Sequence, residues 1–391
     1  MHPGPARQDA GPVHRCGGPC VAGHPPHARL RHGRGGPLRT FRGRRNGLVH
    51  NPRSQQRRSG RERPTVRGRF AVHDPVPRLS GSRPPASESG LTSAAAKRLS
   101  LIPSYRAPLP GITDVHVHVE PYRSLKPAIL DLLWREIPDR PYTSRLMDDP
   151  RAFLEHLDKA GVERACLINY VSPEVMGFTE DVNRFIGEFA KEDRKRLIPF
   201  GSVHPKRTKD PKRDVERLAS KWEMGGMKIH PPHQLFAANA YADGKLPALR
   251  TIYKTAERLK MPIMVHTGTS VFPGARSKFG DPMALDDVAQ DCPDLTILMA
   301  HGGRPLWCDT AFYLLRRHRN LHLDISSIPP KRLLEWFPRL EEISAKVVFG
   351  SDWPAPGVPG IREEIEGLRS LALSERTKER ILSENAAALV K

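Results

Sequence analysis

From Ile112 to the end of the chain, short apolar, β-branched runs alternate with longer segments whose apolar residues recur at helical spacing. The short runs predict strands over 112–119, 163–171, 196–204, 225–230, 261–267, 295–301, 321–326 and 346–352. The amphipathic segments predict helices near 148–160, 179–193, 210–223, 245–260, 282–291, 305–318, 329–342 and 361–372, with a last one over 374–390. The strands are apolar on both faces, as in a parallel sheet covered by helices. Eight strand–helix repeats predict an α/β chain folded as a (β/α)8 TIM barrel. An open doubly wound sheet would show fewer strands and a glycine-rich phosphate loop after the first, and no such loop is present. Between strand one and its helix lies a long insertion, 120–147, containing the apolar stretch Leu125–Trp134. On the catalytic rim it reads as a lid, or as a helix packed across the mouth or in an oligomer contact.

Upstream of the barrel the pattern is absent. Residues 1–106 are rich in Arg, Pro and Gly and carry 21 Lys and Arg against 4 Asp and Glu, which leaves 42 against 39 for residues 107–391. Of the net charge of +20, +17 therefore belongs to this extension and only +3 to the folded part. Such a composition buries too little apolar surface to offset the entropy of ordering, and predicts a disordered extension. An arginine-rich nucleic-acid-binding arm is one use for it. Translation of GC-rich DNA ahead of the true start explains it better, and since no Met falls between Met1 and Met147, a start near Leu91–Leu101 is expected. Cys16 and Cys20, near His14 and His24, lack a matching downstream pair and make a weak zinc knuckle. Cys166, Cys292 and Cys308 are odd in number and widely spaced, which fits a reduced, cytoplasmic protein. No apolar run reaches the length of a membrane span and no signal-peptide core is present.

The chemistry lies at the strand ends. His116 and His118, two apart on a strand, leave from the same face. His266 and His301 each close an apolar run and precede a glycine-containing turn, and Asp352 closes the last strand in Gly350-Ser351-Asp352-Trp353-Pro354. Any one of these histidines alone reads as a hydrogen-bonded core residue, and Asp352 alone as half of a salt bridge. Delivered together to one rim of a barrel, they form the donor set of an open, catalytic divalent-metal site. A carboxylate at a buried strand end is costly unless a cation neutralises it. Arg304, directly after His301-Gly302-Gly303, is a candidate grip for a substrate carboxylate, with Lys228 and His230 beside it. His204 and His233 read as ordinary polar loop residues, His233 being the nearer to ligand, and Trp353 as packing behind the site.

Taken together, His-x-His on strand one, Lys228 on strand four, His266 and His301 on strands five and six and Asp352 on strand eight resemble the amidohydrolase superfamily. The runs Met227-Lys228-Ile229-His230-Pro231, His301-Gly302-Gly303-Arg304-Pro305 and Ser383-Glu384-Asn385-Ala386-Ala387 are similar to its amidohydrolase-related branch of decarboxylases, lactonases and hydratases. The resemblance covers 112–391. It implies one divalent metal on His116, His118, His266 and Asp352, zinc first with manganese, iron or cobalt as alternatives, and His301 beside it as acid, base or polarising group. It also implies a two-metal variant, in which a carboxylated Lys228 bridges and His266 with His301 binds the second ion. The expected activity is hydrolysis of a C–N or C–O bond in a small carboxylated substrate by metal-activated water, with Asp352 moving the proton. Non-oxidative decarboxylation of an unsaturated or aromatic acid is the second expectation, and a barrel that binds without catalysis the third. A homodimer is expected from the branch, while nucleic acid and membranes are not expected as partners.

Overall fold

The structure, a computed structural model, describes residues 111–390; the extension 1–106, its cysteine pair, its start and its boundary with the barrel lie outside the described residues. Eight parallel strands pair in sequence order: β1 (Ile112–His118), β2 (Val162–Ile168), β3 (Leu197–Gly201), β4 (Gly226–Ile229), β5 (Ile263–His266), β6 (Ile297–Ala300), β7 (Leu321–Asp324) and β8 (Val347–Val348). Each expected strand is present. The last is far shorter than its apolar run, because residues 349–353 leave the ladder with β7 and follow β1 instead. Val115 N–H donates to Phe349 O at 2.9 Å, Asp352 N–H to His116 O at 2.8 Å and His118 N–H to Trp353 O at 2.8 Å. These bonds close the barrel, and they do so at the rim where the candidate ligands sit.

The register of β1 shifts between Asp114 and Val117. Val115 packs with Cys166, Ile198, Phe200, Met264 and Leu298 inside the barrel, whereas Val117 and Val119 join the larger core under the helices. A bulge of this kind re-aims the side chains beyond it. It turns His116 and His118 toward the barrel mouth.

The insertion forms two helices, α1 (Pro127–Glu136) and α2 (Arg140–Asp148), ahead of α3 (Pro150–Ala160). Each begins with proline in its first turn, where a missing N–H costs nothing, and Asp139 and Asp149 cap α2 and α3 by accepting backbone N–H groups. Leu125, Ile129, Leu133 and Ile137 pack on Tyr170, Val171, Val175, Met176 and Phe178. The insertion is thus a helix packed across part of the mouth, with Leu133 in the pocket wall.

Helices at 181–189, 211–222, 247–259, 284–291, 308–317, 330–336 and 361–369 cover the sheet at the expected places. The terminal segment, expected as one helix over 374–390, runs as Glu375–Glu379, a π-helical turn Arg380–Glu384 and Asn385–Leu389. It plugs the bottom of the barrel, where Ala386 and Val390 join the inner cluster. None of the helices among the described residues is long and apolar enough to cross a membrane.

Candidate metal centre and pocket

His116 and His118 aim their Nε2 atoms at one carboxylate oxygen, Asp352 Oδ1, each at 3.2 Å. The donor atoms of these three residues lie within 4.8 Å of one another, the spacing at which one cation can bind all three. Asp352 reaches this place through a left-handed backbone (φ 69°), held by its N–H bond to His116 O, and His301 shares the feature (φ 68°). Non-glycine residues rarely adopt this conformation, and when the surrounding fold enforces it the site is usually a functional one.

Behind the candidate ligands, further polar groups orient them. His116 Nδ1 lies 2.6 Å from Asp324 Oδ2 and 2.9 Å from Ser326 Oγ. Donating Nδ1–H to Asp324 leaves the Nε2 lone pair free for a cation. Burial, with Lys228 nearby, pushes the His116 imidazole down to about 4, so it stands neutral as a metal ligand must. Burial opposes charge on His118 as well, but the Asp352 and Glu120 carboxylates, 3.2 and 3.1 Å from its ring nitrogens, hold it up at about 9, so a cation arriving here displaces a proton. Asp352 is kept well below the usual carboxylate range by His116, His301 and His118, against the effect of burial. Two neutral or displaceable imidazoles and an ionised carboxylate converging on one point fit a divalent metal.

Replacing Asp324 with Ala removes the group that sets the His116 tautomer. The expected result is a loss of metal affinity of about 10–100-fold with the barrel intact, read by equilibrium competition against a chelator. Unchanged affinity would mean that Ser326 alone orients the ring.

His266, the fourth expected ligand, stands outside the group of three. Its ring stacks on His230 (centroids 3.9 Å apart), which stacks in turn on His233 (3.6 Å), and its Nε2 is buried without a hydrogen-bond partner. Burial drives His230, His233 and His266 below the ordinary imidazole range, so the stack is uncharged. Tyr170 OH meets His233 Nδ1 at 2.9 Å, and His233 Nε2 meets Ser270 Oγ at 2.7 Å. His233 thus belongs to the pocket wall, whereas His204 does not line it and lies 3.5 Å from Glu174.

Lys228 is fully buried, with Nζ 3.2 Å from His116 Nε2, and burial lowers its pKa to about 8. His301 Nδ1 is 2.9 Å from the Ser326 carbonyl, which it serves as donor, leaving Nε2 for the site. The Arg304 guanidinium donates to Ser327 O at 2.7 Å and stands 4.0 Å from Asp352 Oδ2. Gly268 (φ 97°) and Gly280 let the following loop approach this turn: a Cβ on Gly268 would strike the Arg304 carbonyl, and one on Gly280 the Gly268 carbonyl.

A cavity of about 330 Å³ is floored by His118, Asp352, Lys228, His266, His301 and Arg304, with His116 fully buried behind them, and walled by Tyr122, Leu133, Phe272 and Trp336. Five contributors were not among the candidates drawn from sequence: Glu120, Tyr170, Ser270, Asp324 and Ser326. Glu120 continues the two-residue period of His116 and His118, and Asp324 closes an apolar strand as Asp352 does, so both carried a readable signal. Tyr170, Ser270 and Ser326 carried none.

No curated protein matches the chain significantly. Solved structures resemble it over most of their length. An uncharacterized TIM-barrel protein from Bordetella bronchiseptica is 18% identical (TM-score 0.54), covering 71% of this chain and 98% of that one. A probable 2-pyrone-4,6-dicarboxylic acid hydrolase from Acinetobacter baumannii, with citric acid bound, is 16% identical (TM-score 0.52), covering 71% and 98%. A 5-carboxyvanillate decarboxylase from Novosphingobium aromaticivorans, complexed with manganese, is 15% identical (TM-score 0.50), covering 72% and 95%. At such identities the likeness speaks for the barrel alone. The family model described as Amidohydrolase matches residues 113–391. Because that match runs from the first strand through the last helix, the chain belongs to the amidohydrolase family.

Proposed function

We propose that residues 107–391 form a metal-dependent hydrolase that opens a C–N or C–O bond, in an amide, lactone or ester, of a small carboxylated substrate. The observation that carries this reading is the orientation of Asp352. Oδ1 faces both imidazoles at 3.2 Å, while Oδ2 is turned toward Arg304 at 4.0 Å. One oxygen is thus placed to bind a cation and the other to accept a proton.

A single divalent metal, zinc by preference or manganese, iron or cobalt, held by His116, His118 and Asp352 with His266 at its side, would supply an acidified water and a Lewis acid. The protein's own groups do the rest. Asp352 takes a proton at Oδ2 and returns it to the leaving nitrogen or oxygen. His301, fixed through Nδ1 by the Ser326 carbonyl, presents Nε2 to the same space as a further acid or base. Arg304 and Lys228 neutralise the substrate carboxylate, and the stacked His230 lies beside them. Tyr122, Leu133, Phe272 and Trp336 exclude water, which strengthens each of these charge interactions.

Arg304→Ala is expected to raise KM about 10–100-fold while kcat falls less than tenfold, because it removes binding that ground and transition states share. A variant that loses kcat alone would place Arg304 in the chemical step instead.

The apolar, partly aromatic walls favour a second reading, non-oxidative decarboxylation of an unsaturated or aromatic acid, which is also what the Novosphingobium barrel is named for. Turnover of a panel of lactones, amides, esters and aryl carboxylic acids by the metal-loaded chain separates the two. Hydrolysis adds water to the product with no gas released. Stoichiometric CO₂ from an acid, with every ester, lactone and amide untouched, would overturn the hydrolase assignment.

A further inference from the structure

The part of the pocket wall supplied by residues 327–364 is built largely of proline, alanine, glycine, valine and tryptophan. Besides Asp352, one ionisable side chain interrupts it. That residue is Glu364, in the first turn of the helix Ile361–Arg369, 8% exposed and facing the cavity. Among the described residues no hydrogen bond or ion pair reaches its carboxylate, and the charged groups acting on it, Asp114, Asp352 and Glu363, are all acids. Burial together with these acids pushes its carboxyl up to about 7. The usual task of an acid in a first helical turn falls to Glu363, which folds back against Gly360. An acid buried at a cost, without a partner among the described residues, and lining a ligand cavity marks a binding role.

We propose that Glu364 is a substrate-binding residue that accepts a hydrogen bond from a hydroxyl or amino group on the substrate, carried apart from the substrate's carboxylate. The pocket then has two poles. Lys228 and Arg304 hold the acid end, an inference that rests on the function proposed above, and Glu364 selects for a donor across an apolar body. This narrows the substrate class to small hydroxy- or amino-substituted acids.

The test is calorimetric binding to the metal-loaded full-length chain, using benzoate, its monohydroxy and monoamino derivatives, phenol and aniline. Wild type is compared with Glu364→Leu and Glu364→Gln. The best substituted benzoate should bind wild type about tenfold tighter than benzoate, the effect of one hydrogen bond to a buried acid. In Glu364→Leu that preference should fall below about threefold while benzoate keeps its affinity, and Glu364→Gln, which retains an acceptor, should recover part of it. Hydroxyl and amino arms tell which donor is chosen. A preference that survives in Glu364→Leu overturns the assignment. If no benzoate binds wild type, the carboxylate reading fails, and phenol and aniline still decide for Glu364: binding of both that does not depend on it, or no binding of either, overturns the assignment. Thermal melting supplies a control, since a residue without partners should leave Glu364→Leu as stable as wild type or more so. A marked fall in the melting temperature would reveal a structural role and also overturn it.

Discussion

Asp352→Asn is expected to lower kcat by about a thousandfold or more with the barrel still folded. The substitution keeps the size and shape of the side chain, so the left-handed turn at φ 69° and the N–H bond to His116 O remain available. What is lost is charge and basicity. Asn offers a neutral carbonyl where an ionised oxygen faces two imidazoles, and an amide N–H₂ where the proton acceptor toward Arg304 should be. His118 also loses the carboxylate that holds its proton, so its pKa falls toward the ordinary value. Steady-state kinetics alongside circular dichroism checks the claim. A folded Asp352→Asn protein with kcat within tenfold of wild type would remove Asp352 from the chemistry and take the proposed mechanism with it.

His118→Ala is expected to reduce bound metal from about one ion per chain to nearly none, whereas Lys228→Met keeps it. His118 is one of three donors that converge among the described residues, and its lost imidazole cannot be replaced by Glu120, whose oxygen lies at the far ring nitrogen, 3.1 Å away. Metal present at a thousand times its dissociation constant stabilises a fold by about 4 kcal/mol. The melting temperature of His118→Ala should therefore stop responding to added zinc or manganese. Lys228 touches His116 Nε2 from the other side, at 3.2 Å. As a plain cation it competes with a metal, and its loss leaves the metal count unchanged or higher. If elemental analysis finds about two ions in wild type and fewer in Lys228→Met, the lysine is a bridging carbamate. If a folded wild-type barrel takes up no metal on titration, the metal centre itself is wrong.

Two consequences of the fold bear on specificity. The insertion packs through Leu125, Ile129, Leu133 and Ile137 and supplies part of the pocket wall. The loop over 268–282 is pinned through Gly268 and Gly280 to the turn after β6, with Thr269 N–H bonded to Arg304 O at 3.0 Å. Tyr122, Phe272, Trp336 and Glu364 are among the residues these packed segments leave facing the cavity.

The chain by itself determined the barrel and the kinds of groups at its rim. Strand and helix periodicities are local, and eight buried apolar runs separated by amphipathic helices have few alternatives. The two-residue spacing of His116 and His118 likewise puts them on one face before any fold is known. Tertiary structure decided the rest. The bulge in β1, the departure of residues 349–353 from β8 and the left-handed turn at Asp352 depend on contacts between the first and last strands. Asp324 meets His116 across 208 residues of sequence, and the stack of His230, His233 and His266 forms only where two strand ends meet. Glu364 looks like any acid in the first turn of a surface helix. It becomes a pocket residue because that helix packs with its first turn over the barrel mouth, a placement set by packing and not by any periodicity along the chain.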